Sequence, residues 1–130
     1  MIKAEAVYPA KPHALFDQHG YSPAIKSGDL LFVSGQVGAL PDGTPEPDVE
    51  KQARLAFENL VSVLEAAGAS FADVVDVTAF VVEPERNLEA IMPVIAEYYG
   101  EKPYPNATLT GVTWLSGFVF EIKVIARLPA

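Results

Sequence analysis

Three features of this 130-residue chain predict an α+β fold, a mixed β-sheet with two helices packed on one face. Runs rich in β-branched and aromatic residues, such as Leu30–Val33, Val74–Val82 and Phe118–Arg127, have the composition of strands. Residues 49–67 instead place apolar side chains at helical spacing. The order of the runs is β-ββ-α-β-α-ββ, without repeats, linkers or low-complexity segments, so one domain over 1–130 is expected.

Ile2–Tyr8 alternates weakly and reads as a first strand, closed by Pro9 and Pro12. Lys11–Gly20 reads as a loop. Tyr21–Lys26 and Leu30–Ser34, separated by Ser27-Gly28-Asp29, read as a hairpin. The unbroken run Leu30-Leu31-Phe32-Val33 suggests a strand buried on both faces. Gly35 to Pro47 is rich in Gly and Pro and reads as a long loop. In the first helix Val49, Ala53, Ala56, Phe57, Leu60, Val61 and Leu64 form the apolar stripe, with Asp48 placed to cap its start and Gly68 placed for C′. Val74–Val82 is expected as a central strand. A second helix over about Asn87–Tyr99 ends at Gly100, with Pro93 expected to kink or shorten it. Ala107–Thr113 and Phe118–Arg127 are the last strands, joined tightly through Leu115-Ser116-Gly117.

The chain holds 17 acidic and 9 basic residues, a formal charge of −8. Such a surface repels phosphate backbones, and the lysines and arginines are scattered with no two adjacent, so no nucleic-acid partner is expected. Zero cysteines exclude disulfides and thiolate chemistry. His13 and His19, six apart in a loop, lack the spacing of a zinc site, and no metal or cofactor is expected. The N-terminal segment has Glu5 and Pro9 where a signal peptide carries its apolar stretch, and no run approaches the roughly 18 apolar residues of a spanning helix. A soluble, cytoplasmic protein without a membrane partner is the expectation. A mean hydropathy of +0.21 gives more apolar surface than two helices cover, which points to self-association.

Several ordered motifs carry a resemblance: G-Y-S-P-A at 20–24, L-F-V-S-G-Q-V at 31–37, the A-A-G helix end, D-V-V-D-V-T-A-F-V at 73–81, Y-P-N-A-T-L-T-G-V-T at 104–113 and V-F-E-I-K-V-I-A at 119–126. Together, from about Ala4 to Arg127, the chain resembles the Rid family, the YjgF-type imine deaminases also called L-PSP endoribonucleases. The resemblance implies a chorismate-mutase-like fold and a homotrimer whose sheets enclose a barrel. It also implies small-molecule sites in the clefts between subunits.

It implies site residues too. Tyr21 matches the family's cleft tyrosine, although a tyrosine at a strand start ordinarily packs its ring and hydrates its hydroxyl. Ser34 and Gly35 would present a hydroxyl and an amide to a ligand, whereas the plainer role of Ser34 is to bond its own turn. Glu121 interrupts an apolar run, where a charge is costly unless it is paired. In the family this glutamate orients the water that attacks the imine. The alternative is a Glu121/Lys123 pair on an edge strand facing solvent. Lys123 stands where many relatives carry a second glutamate.

In deaminase members the strand after Tyr104 carries an arginine that grips the substrate carboxylate, yet here no arginine or lysine lies between 103 and 122. Asn106 or Ala107 takes its place, according to the alignment, and Leu109 follows Ala107 on one face. Neither residue can form a bidentate clamp. Thr108 offers a hydroxyl to a ligand or is an ordinary strand residue, and Trp114 either packs at a subunit contact or walls an aromatic pocket with Tyr21. Two functions follow. One is a cleft hydrolase acting through Glu121 on an uncharged or cationic imine, enamine or amide. The other is a metabolite-binding trimer without turnover. Ribonuclease activity is disfavoured by charge.

Overall fold

The structure, a computed structural model, describes residues 4–130. Its elements are β1 (Glu5–Val7), α1 (Leu15–His19), β2 (Ala24–Ser27), β3 (Leu30–Val37), α2 (Val49–Ala66), β4 (Val74–Val82), α3 (Pro84–Tyr99), β5 (Asn106–Val112) and β6 (Phe120–Arg127). The six strands form one mixed sheet in the order β1-β2-β3-β6-β4-β5. Only β4 and β5 pair in parallel, because α3 carries the chain back between them. The expected α+β architecture is therefore present. Ile2 and Lys3 of the expected first strand lie outside the described residues.

Helices α2 and α3 pack on one face of the sheet. Strand residues of one parity, Leu31, Val33, Val77, Ala79, Val81, Phe120, Ile122 and Val124, meet Phe57, Leu60, Leu64, Ile91 and Val94 from the helices in a single buried cluster. The Asp48 carboxylate accepts from the Lys51 amide at 3.0 Å and caps α2. Gly68 follows the helix at φ +78°, a left-handed turn that suits glycine.

Several expectations need correction. Residues 15–19 form a short helix rather than loop, burying Leu15 and Phe16. The strand begun at Leu30 continues to Val37 and is not buried on both faces: Leu31 and Val33 enter the core while Phe32 is 41% exposed. On α2, Val63 rather than Val61 joins the core, and Gln52 is buried among the apolar residues. Pro93 does not shorten α3, which starts at Pro84 and runs to Tyr99. Glu89 and Pro93 both lie on the exposed side, where water can take up the carbonyl that proline leaves unpaired. Finally, β5 and β6 are not neighbours. β4 lies between them, and 113–119 carries the chain past its end.

Candidate functional site

The site is built around an irregularity in β3. The ladder with β6 pairs Val33 with Val124 and then Gln36 with Ile122, so a bulge falls at Ser34-Gly35. This bulge sets Gln36 into the core side, 1% exposed, where its side-chain amide donates to the Ser34 carbonyl at 3.0 Å. The Ser34 hydroxyl donates to the Ser22 carbonyl at 2.7 Å and ties the segment before β2 to the bulge. Neither of the two roles expected for Ser34 describes this bond to a residue twelve positions away.

Glu121 lies beside the bulge on β6, an interior strand flanked by β3 and β4. Its side chain crosses directly over Gly35. A Cβ added there would lie 2.5 Å from the carboxyl carbon and 2.7 Å from Oε2, so only glycine leaves room. Burial pushes the Glu121 carboxyl above the usual carboxylate range, and the nearby Lys123 ammonium offsets part of that rise. No Glu121–Lys123 ion pair forms among the described residues, and β6 is not an edge. The solvent-facing edge pair is thus not what the structure contains.

A cavity of about 700 Å³ opens over this carboxylate. Tyr21, Ser34, Gly35, Trp114, Glu121 and Lys123 share its lining with Leu15, His19, the Gly43–Pro45 turn and the Leu115, Ser116 and Phe118 loop. Leu15, Val37 and Phe118 belong to a second apolar cluster that supplies its dry wall. Tyr21 stands three residues before β2 rather than at its start, with its ring edge-on to Phe16 at 5.2 Å. Burial, and then the Glu121 charge, raise the Tyr21 phenol above its ordinary pKa, keeping it a proton donor. Trp114, 73% exposed, stands at the rim.

The structure does not bring Asn106, Ala107, Thr108 and Leu109 into this cavity. They lie on β5, the sheet edge, and are all exposed. Register places Ala107 and Leu109 beside Val77 and Ala79, on the helix side of the sheet, opposite Glu121. Asn106 and Thr108 share the side of Glu121 but sit two strand spacings across and, respectively, four and two residues along the sheet from it, more than roughly 10 Å away. Asn106 there donates to Asp76 at 2.5 Å. A floor of Ala107 and Leu109 beneath Glu121 is therefore not formed within one chain.

Sequence reasoning missed Gln52. Its Oε1 accepts from the Val119 amide at 2.7 Å and the Phe120 amide at 3.3 Å, while its side-chain amide donates to the Glu46 carbonyl at 2.9 Å. One buried side chain thus fixes the loop that walls the cavity to the start of the strand bearing Glu121. The available signal was a glutamine adjoining Ala53 on the apolar stripe of α2. Among the described residues no group of three or more His, Asp or Glu side chains could hold a metal, and no helix is long and apolar enough to cross a membrane.

The six-stranded α+β fold is one this chain shares with known proteins. A family model described as Endoribonuclease L-PSP matches residues 11–128, and the chain belongs to that family, the Rid/YjgF proteins. It is 59% identical over 129 residues to the RutC family protein YjgH of Escherichia coli strain K12, covering 99% of this chain and 98% of that one. A solved structure of protein YJGH superposes with a TM-score of 0.95 at 58% identity, covering 99% of both chains. A protein of the same strain that bears the name reactive intermediate deaminase, TdcF, is 32% identical over 110 residues, covering 82% of this chain and 84% of its own.

Proposed function

We propose that this chain, folded as one domain, is a deaminase-like hydrolase of small imines or enamines. It works in the clefts of a homotrimer, on a substrate not clamped by an arginine. The observation that carries this reading is the half-buried, unpaired Glu121 carboxylate set over Gly35 in the cavity. An enamine first tautomerises to its imine, its carbon gaining a proton as its nitrogen loses one. Glu121 then takes a proton from water as the oxygen adds to the imine carbon. That proton passes to the nitrogen to give the carbinolamine; the hydroxyl proton then follows it through Glu121 as the C–N bond breaks, so that ammonia leaves and a carbonyl product remains. Tyr21 and the Gly35 backbone would position the substrate. The exposed β5 edge of a neighbouring subunit would close the cleft and bring Asn106, Ala107, Thr108 and Leu109 to the ligand.

A binding trimer without turnover is favoured by one specific observation: the Ser34 hydroxyl is already committed to the Ser22 carbonyl and does not face a ligand as donor. The two readings separate by ammonia release from 2-aminoacrylate generated in situ by a dehydratase. The hydrolase reading expects acceleration by the native protein and loss of it in Glu121→Gln. Inert native protein supports the binder. A gain seen only in Ala107→Arg would mean that the rest of the cleft is competent and lacks just a clamp.

A further inference from the structure

The chain as a whole is strongly acidic, but the cavity lining is not. Of 17 acidic residues only Glu121 lines it, alongside the basic side chains of Lys123 and His19. Lys123 is exposed on the strand that bears Glu121, and two residues of extended chain set them roughly 7 Å apart on one side of the sheet. None of the ion pairs among the described residues uses Lys123: the lysine and arginines that pair are Lys26, Arg54, Arg86 and Arg127, each on the outer surface. Its neighbours across the sheet are Thr78, directly opposite, and then Thr108, while Asp76, two residues along β4 on the same face, accepts from Asn106 instead. The cavity therefore contains a cation that forms no ion pair among the described residues.

We propose that Lys123 is the specificity-determining residue of the cleft, holding an anionic group, a carboxylate or a phosphate, of the small molecule bound there. An ammonium on a flexible stem accepts either oxyanion as a point charge, with less angular demand than a guanidinium fork. The sequence alone favours an uncharged or cationic ligand, and the place of Lys123 inside the cavity reverses that preference. There is a consequence for Glu121. Free Lys123 lowers the proton affinity of the carboxylate. A bound anion cancels that influence, so Glu121 becomes the stronger base once the site is occupied.

The proposal rests on the cavity being the ligand site, but not on turnover. Its test is binding, followed by fluorescence of Trp114, the only tryptophan, at the rim. Pyruvate is compared with uncharged pyruvamide on the native oligomer, Lys123→Gln and Lys123→Arg, and inorganic phosphate serves as a second anion. The expected result is tighter binding of pyruvate than pyruvamide by native protein. Loss of the charge-assisted contact in Lys123→Gln should weaken pyruvate binding by about 10-fold or more. Pyruvamide binding should be unchanged, and Lys123→Arg should recover most of the loss. Competition by phosphate would assign the site to oxyanions generally, and its absence to carboxylates. Equal affinity for the two ligands, no pyruvate binding, or an unaltered constant in Lys123→Gln would overturn the proposal. If pyruvate binding depends on Lys123 while no imine is hydrolysed, the hydrolase reading fails and this one stands.

Discussion

Glu121 shows how one residue can weaken a fold while equipping it. Its carboxyl is harder to ionise in the folded chain than in the unfolded one. The folded state therefore holds the proton more tightly, and stability declines as pH rises from the ordinary glutamate value, about 4.3, through the raised folded value. We expect Glu121→Gln, which has no charge to bury, to be more stable than native protein at pH 7 and to lose that advantage near pH 4. Thermal melts at both pH values check this, and equal differences would contradict it. Gly35→Ala acts on the same carboxylate from below. A Cβ 2.5 Å from the carboxyl carbon must displace the carboxylate, the far end of a flexible side chain that can swing aside, so the variant loses the placement of Glu121 more than it loses stability. Lower kcat with a melting temperature close to that of the native protein is the expected outcome. Glu121 was legible in sequence because a charge inside V-F-E-I-K-V-I-A demands a reason. The contact with Gly35 was not, since nothing in either motif sets the register of β3 against β6.

Among the elements, the long periodic ones were readable and the short or non-local ones were not. α2 and β4 declared themselves through 3.6-residue spacing and a β-branched run, and their bounds fall within a residue of expectation. α1 has five residues, too few to show a period, and is held by the burial of Leu15 and Phe16. Likewise the separation of β5 from β6 depends on β4 pairing between them, which a short intervening loop disguises. Gln52 belongs to this non-local class. Gln52→Leu keeps the volume but strands the Val119 and Phe120 amides and the Glu46 carbonyl. Each buried polar group left unpaired costs about 1–3 kcal/mol. We expect a clear loss of stability by denaturant titration. Ligand affinity should also fall, because the tie between Glu46, beside the Gly43–Pro45 wall of the cavity, and the start of β6 is lost, and a variant as stable as native would show that the loop is held otherwise.

For the whole molecule, the decisive feature is the sheet face that α2 and α3 leave bare. Phe32 there is 41% exposed, and the edge strand β5 is exposed throughout residues 106–111. A further copy covering this surface would remove apolar area from water and complete the cleft. Light scattering is expected to give a mass three times the 14.0 kDa chain, with Phe32→Lys shifting it toward monomer. A monomeric native protein would leave β5 far from Glu121 and contradict the cleft. The fold class and the self-association were suggested by composition and element order. The ligand was not, because the arginine expected on β5 is absent and Lys123 acquires meaning only once the cavity is seen.

The most direct test of the central claim, that Glu121 activates water, is the pH dependence of kcat/KM for ammonia release. The rate is expected to climb with pH through an apparent pKa above the usual carboxylate range, with that limb missing and the rate about 10²–10⁴-fold lower in Glu121→Gln. A flat profile, or a Glu121→Gln variant as fast as native protein, would show that the carboxylate is not the base.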